Sequence, residues 1–377
     1  MAKYSVSPSW VSDAYTRGNG SINTADNSSI STNSWFYGMK GLIDKSVNAG
    51  QTFSNGVVST YSLVYTTSSA YAGGVLAPNG DIHFTPRTAA IGQKVSSAGV
   101  VSTYSLVYTT SNNAYDGGVL APNGDIHFVP SRASRGQKVS AAGVVSTYSL
   151  VYTTVYAYSG GVVAPNGDIH FVPSLASVGQ KVSSTGVVST YSLVYTDSSF
   201  PYSGGVLAPN GDIHFVPSTA PVGQKVSAAG VVSTYSLVYT NTSYPYSGGV
   251  VAPNGDIHFI PYSAPVGQKV SSAGVVSTYS LVYTTSSGYV GGVLAPNGDI
   301  HFVPDGAVRG QKVSAAGVVS TYSLVYTPLY AHYGGVLAPN GDIHFVPNSA
   351  AVGQKISTLP AIPFEKSVCL SPHFNKY

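Results

Sequence analysis

The heptapeptide Ala-Pro-Asn-Gly-Asp-Ile-His begins at residues 77, 121, 164, 208, 252, 295 and 338, which makes most of the chain seven copies of one unit of 43 or 44 residues. Between these copies the sequence reads, with small changes, Gly-Gln-Lys-Val-Ser and then Gly-Val-Val-Ser-Thr-Tyr-Ser-Leu-Val-Tyr-Thr. A unit this short cannot bury enough apolar surface to fold alone, so the copies must be stabilised by packing on one another.

Each unit supplies four strand-like pieces, which in the first copy are 73–78, 81–86, 93–96 and 102–109. Asn79-Gly80 separates the first two. Asn-Gly between apolar runs is a strong hairpin signal, because a type I′ turn needs positive φ at both central residues. Proline closes the first two strands rather than interrupting them, as strand ends require. Apolar side chains occur on both faces: Val75 and Leu76 are adjacent, and Ile82 and Phe84 share a face beside Thr85. A sheet apolar on both sides is packed between two others, and four short strands per 40–45 residues is the spacing of propeller blades.

The ends of the array predict how the ring closes. A fourth-strand sequence stands alone at 59–66, and the last unit stops after its third strand at 353–357. The fold class is therefore all-β: a seven-bladed β-propeller with four antiparallel strands per blade, closed by strand 59–66 pairing with strand 353–357. The domains are an N-terminal extended arm at 1–49, the propeller at 50–357 and a C-terminal tail at 358–377. Gly-Gln-Thr-Phe-Ser at 50–54 is an eighth third-strand-like segment that this scheme leaves over.

Over roughly 57–357 the layout resembles WD-repeat and related propellers, in which a strand–turn–strand hairpin occupies the same place and an N-terminal strand closes the ring. The Trp-Asp dipeptide and Gly-His pair of WD repeats are absent. In composition, and in the near-identity of its blades, the chain is similar to propeller proteins of phage virions.

Charge excludes several functions. Only 8% of residues are charged and the formal net charge is +3, with no cluster of five basic residues to form an electrostatic footprint for nucleic acid. The single cysteine, Cys369, excludes an internal disulfide framework. No run of 18 apolar residues spans a membrane, and the N-terminus lacks the apolar stretch of a signal peptide. The expectation is synthesis in a host cytoplasm without membrane insertion, then residence in a virion.

Seven histidines recur on the second strands (His83, His127, His170, His214, His258, His301 and His344), each two residues after an aspartate. On a second strand they are spread between blades rather than converging on one ion, so no metal is expected. A repeated Asp/His hydrogen-bond set is the expected role, with the repeated lysines, from Lys94 to Lys355, pairing the aspartates or forming a solvated ring. No nucleophile–base constellation, zinc spacing or phosphate loop occurs. The expectation is no cofactor and, because propeller enzymes gather unique residues at one mouth while these copies differ little, no enzyme.

The copies disagree at two connections, fourth strand to next first strand and second strand to third, which emerge on the same face of an up-and-down ring. The first of these always carries an aromatic: Tyr71, Tyr115, Tyr156 and Tyr158 in the early blades, then Phe200, Tyr202, Tyr244 and Tyr246, then Tyr289, Tyr330 and Tyr333. Tyrosine offers contact area and a polar tip at small entropy loss, so these residues are the candidate recognition face. Trp10, Trp35, Phe36 and Phe364 lie outside the repeats as candidate anchors of a docking arm. The expected function is a non-enzymatic virion structural or attachment protein, such as a phage head decoration or tail component. Its arms would dock on other virion proteins, and its face would meet a host surface glycan or receptor. The alternative is a glycan-binding propeller lectin.

Overall fold

The computed structural model describes residues 56–358 apart from 111, together with the backbone of 21–23 and 29–31. Gly56–Thr358 forms one compact unit containing seven four-stranded antiparallel sheets. In blade one the strands run in order Tyr71–Leu76, Ile82–Pro86, Ile91–Val95 and Val101–Ser105. Blades two to six repeat this arrangement. Outside that unit, Ser21–Asn23 pairs antiparallel with Ser29–Ser31, a hairpin that the sequence did not announce.

The seven-bladed fold is as expected. Every residue of each second strand is buried, because the strand lies between the sheets on either side. Phe84 is fully buried and packs its ring 5.7 Å from that of Tyr71. Val336 and Val346 of blade seven join the same cluster, so the core is a set of interfaces between blades rather than a single centre.

First strands meet at the axis through glycine. A Cβ on Gly73 would stand 3.0 Å from the Cα of Gly117, and the same approach recurs around the ring until Gly334 meets Gly73 at 3.2 Å. Only a residue without a side chain allows seven backbones this close. That cyclic contact and the last sheet together complete the ring. In the last sheet Val58–Ser62 pairs antiparallel with Val352–Ser357, Thr60 opposite Gln354.

The closing strand, Val58–Ser62, is shorter than the 59–66 read from the sequence, as are all the fourth strands. The cause is a buried glutamine. After Ser62 the chain crosses to blade one, and the Val64 and Tyr65 N–H groups donate to Gln93 Oε1 at 3.0 and 2.7 Å. Those N–H groups leave the sheet ladder to bond the next blade. Gln137 does the same for Val107 and Tyr108, and Gln354 for Val325 and Tyr326.

Candidate functional site on the ring axis

The two faces of the ring differ chemically. On one, each Asn-Gly turn is followed by an aspartate paired with a lysine of the third strand, as Asp81 with Lys94 at 2.7 Å. The Asp81 carboxylate also accepts the Ser97 N–H, tying the two turns of the blade together. All seven blades keep the ion pair. This face is uniform, and its lysines pair the aspartates as one of the two expected arrangements.

The histidines do not join those aspartates. His83 Nδ1 lies 3.3 Å from the Tyr104 hydroxyl of the fourth strand, and the corresponding pair recurs in every blade. The expected Asp/His set is therefore two separate sets, Asp–Lys and His–Tyr. Residues two apart on a strand share a face, but here the short aspartate beside the turn meets lysine while the imidazole reaches across to tyrosine. Among the described residues no group of three or more His, Cys, Asp or Glu could hold a metal ion.

The other face is built on a bulge. Tyr71 faces Pro86 and Gly74 faces Phe84, so the first strand carries one extra residue. Gly73 supplies it at a φ of +78°, and the bulge re-aims residue 72 toward the axis. Around the ring this position is Ala72, Asp116, Ser159, Ser203, Ser247, Val290 and Tyr333. Ser203 and Ser247 touch hydroxyl to hydroxyl at 3.3 Å, as neighbours on a ring should. A second varied column follows each second-strand proline, where Arg87, Tyr262, Asp305 and Asn348 stand against serine in the other three blades.

These columns converge. Arg87 interacts electrostatically with Asp116, Tyr333, Tyr156 and Asp305, and its guanidinium lies 5.2 Å from the Tyr333 ring centroid. Burial pushes the Asp116 carboxyl up, against the opposing pull of Arg87 and of the Ser159 and Tyr333 hydroxyls. Asp305 is 5% exposed, with one carboxylate oxygen that has no hydrogen-bond partner. Burial raises it to about 7, with Arg87 pulling the other way. Arg132, in blade two, lies 4.0 Å over the Tyr156 ring.

The expected recognition face divides in two. Tyr71, Tyr115, Tyr158, Tyr202, Tyr246 and Tyr289 are at most 1% exposed, which corrects their assignment to a recognition surface. Each begins a first strand, and its hydroxyl donates to a third-strand carbonyl, as Tyr71 to Ile91 at 3.2 Å. They are core residues that end the loop rather than tip it. In blade seven His332 takes their place, with Nδ1 3.3 Å from the Pro304 carbonyl.

Tyr156, Phe200, Tyr244 and Tyr330 are different. Each sits two residues earlier at positive φ, between 54° and 62°, where the other blades have Ser69, Asn113 and Ser287. The rings of Tyr156 and Phe200 are 5.7 Å apart and those of Phe200 and Tyr244 6.3 Å, giving an aromatic ridge across three adjacent blades. Tyr333 is half-buried at the axis with Asp116 and Arg87. The anchors Trp10, Trp35, Phe36 and Phe364, and the segment 50–54, lie outside the described residues.

Reading the loops alone missed Arg87, Asp116, Arg132 and Asp305. For Arg87, Asp116 and Asp305 the signal was present in the columns beside Gly-Gly and after the second proline, where one copy and two copies respectively carry a charge against three serines in each.

Fold and mouth together define a seven-bladed propeller with single-copy residues gathered on its axis. Set against known protein families and against curated sequences, the chain matches none. Among solved structures it is similar to virginiamycin B lyase from Staphylococcus aureus, at 16% identity and a TM-score of 0.70, over 80% of this chain and 99% of that one. A streptogramin B lyase gives 19% identity and 0.70 over 81% and 99%. The WD40 propeller domain of Doa1 gives 13% and 0.61 over 81% and 99%. At these identities the likeness shows the fold alone.

The expectation that the chain is no enzyme is corrected to this extent: its fold is one that enzymes carry, so the fold gives no ground for excluding catalysis. Two of these similar propellers are lyases. The premise of the exclusion also fails, because Arg87, Asp116, Asp305 and Tyr333 come from four different blades to one mouth.

Proposed function

We propose that the protein is a recognition propeller that binds a saccharide on its diversified face, in the setting of a virion attachment or decoration protein. The observation that carries this is the ridge of Tyr156, Phe200 and Tyr244. A bulky residue at positive φ is disfavoured by roughly 1–2 kcal/mol relative to glycine. Three such residues in successive blades hold that conformation and form a continuous ridge of rings inclined to one another, with Tyr244 43% exposed. Ring faces pack on the apolar C–H side of sugars, and the tyrosine hydroxyls and axial polar groups can bond their hydroxyls. The virion setting is supported by the low charge and by near-identical blades; other virion proteins would be met through the terminal arms.

A glycan array probed with the full chain tests the reading. Retention of a glycan that is lost in Phe200→Ala and kept in Val107→Ala, an exposed rim position, supports it. Equal retention by both variants removes the ridge from the function. Recovery of the chain in purified particles, with 1–49 protected from protease, tests the setting.

A second reading, turnover of the bound saccharide, is favoured by Asp305, whose carboxyl titrates near 7 and so can give or take a proton at neutral pH. Mass spectrometry of the retained glycan after prolonged incubation decides it: an unchanged mass removes catalysis on that glycan.

A further inference from the structure

We infer that the mouth selects a sugar bearing a carboxylate, held by the guanidinium groups of Arg132 and Arg87; this rests on the saccharide reading above and names the class of ligand. Stacking pins Arg132 over Tyr156 by its flat face, at 4.0 Å. That contact leaves the in-plane N–H fork free, and the fork matches the two oxygens of a carboxylate. The Arg132 Nε is buried without a hydrogen-bond partner, and so is that of Arg87. Both Nε atoms are sealed from the surface, so the terminal Nη groups are the donors offered to a ligand.

Tyr156 links the two arginines. It carries the Arg132 stack, and it lies within the electrostatic reach of Arg87. Asn113 Nδ2 donates to the Tyr156 hydroxyl at 3.4 Å, which leaves the phenol proton free to donate to a ligand oxygen.

The opposing charge is weak. Asp116 and Asp305 are the carboxyls in reach of Arg87, and burial raises both, Asp305 to about 7. The Arg87 guanidinium thus faces carboxyls whose ionisation burial opposes, while Arg132 is held against an uncharged ring. From Tyr156 the ridge continues to Phe200 and Tyr244, so a sugar anchored by its carboxylate can lay its ring or its next residue on aromatic faces.

The test uses matched probes on the full chain by titration calorimetry: 3′-sialyllactose against lactose, trigalacturonic acid against its methyl ester, and lactose 3′-sulfate. The expected result is that at least one acidic member binds tenfold or more tighter than its neutral partner. Arg132→Gln should collapse that ratio toward one, and Arg132→Lys should restore only part of it. Arg135→Gln, at an exposed site on the third strand, should leave the ratio unchanged. Arg87→Gln is scored only if its circular dichroism matches the parent, so Arg132 carries the decision. Equal binding of acidic and neutral members, still lost in Phe200→Ala, overturns the carboxylate assignment and leaves the saccharide reading standing. Sulfate bound as well as carboxylate overturns carboxylate selectivity. No binding of any saccharide, here or on the array, overturns both.

Discussion

His83 Nδ1 stands 3.3 Å from the hydroxyl of Tyr104, with the two rings 5.3 Å apart. The arrangement ties the second strand to the fourth, and the ring repeats it seven times. Burial lowers each of these imidazoles to about 4, helped by the neighbouring lysine and opposed by the aspartate.

A steep acid transition follows. A histidine held neutral in the fold binds its proton more readily when unfolded, so stability is full above about 6.5 and is lost as pH falls toward 4. Each imidazole contributes a slope of roughly 1.4 kcal/mol per pH unit in that window, and seven together roughly 10 kcal/mol per unit. Calorimetry from pH 7.5 to 4.5 should show Tm falling sharply below 6.5. A flat Tm across that interval would contradict the buried neutral state.

Asp305 has the opposite sign. Its carboxyl keeps a proton in the fold up to about 7, whereas an unfolded aspartate releases it near 4. Stability from this residue therefore declines as pH rises from about 4 to 7. Asp305→Asn should raise stability at pH 8 by up to about 4 kcal/mol and leave it nearly unchanged at pH 4. Urea midpoints at the two pH values measure the difference, and an equal shift at both would refute it.

Gly73 and Gly99 form a matched pair for the axis. Both have φ near +80°, but a Cβ on Gly73 meets Gly117 at 3.0 Å while one on Gly99 meets nothing within 4 Å. Gly99→Ala should cost about 1 kcal/mol, from backbone strain alone. Gly73→Ala should cost about 2–3 kcal/mol more, because two first strands must separate. Equal costs in chemical denaturation would show that the axis yields easily.

Gln93→Ala should be among the more damaging single substitutions in the ring. The side chain is fully buried and accepts the N–H groups of Val64 and Tyr65. Its loss leaves two backbone donors unpaired and a void, at about 3–5 kcal/mol. Hydrogen exchange should show the Val64 and Tyr65 amides losing protection first; unchanged protection would assign the crossover's stability elsewhere.

Blade number, strand order and closure were legible because Asn-Gly turns, strand-ending prolines and the orphan fourth strand each have one geometric reading. The crossovers were not. Ser-Leu-Val-Tyr continues an alternating strand pattern past Ser105, and nothing local says that the Val107 and Tyr108 amides leave the ladder for Gln137. The same limit misplaced Tyr71 and its equivalents, since a strand start read two residues late puts a core ring in a loop. Their presence in six of seven copies was the clue to packing, whereas Tyr156, Phe200, Tyr244 and Tyr330 appear in four. The mouth is long-range: Arg87 and Tyr333 lie 246 positions apart in sequence and meet only because the ring closes.

The uniform scaffold has a consequence for inheritance. Gln93, Lys94, Asp81 and His83 recur in every unit, so recombination that replaces one blade's coding segment with another's keeps all of these bonds. What such an exchange changes is the set of single-copy side chains at the mouth. Blade conversion can thus reassort the single-copy side chains of the mouth, while the fold is transmitted intact.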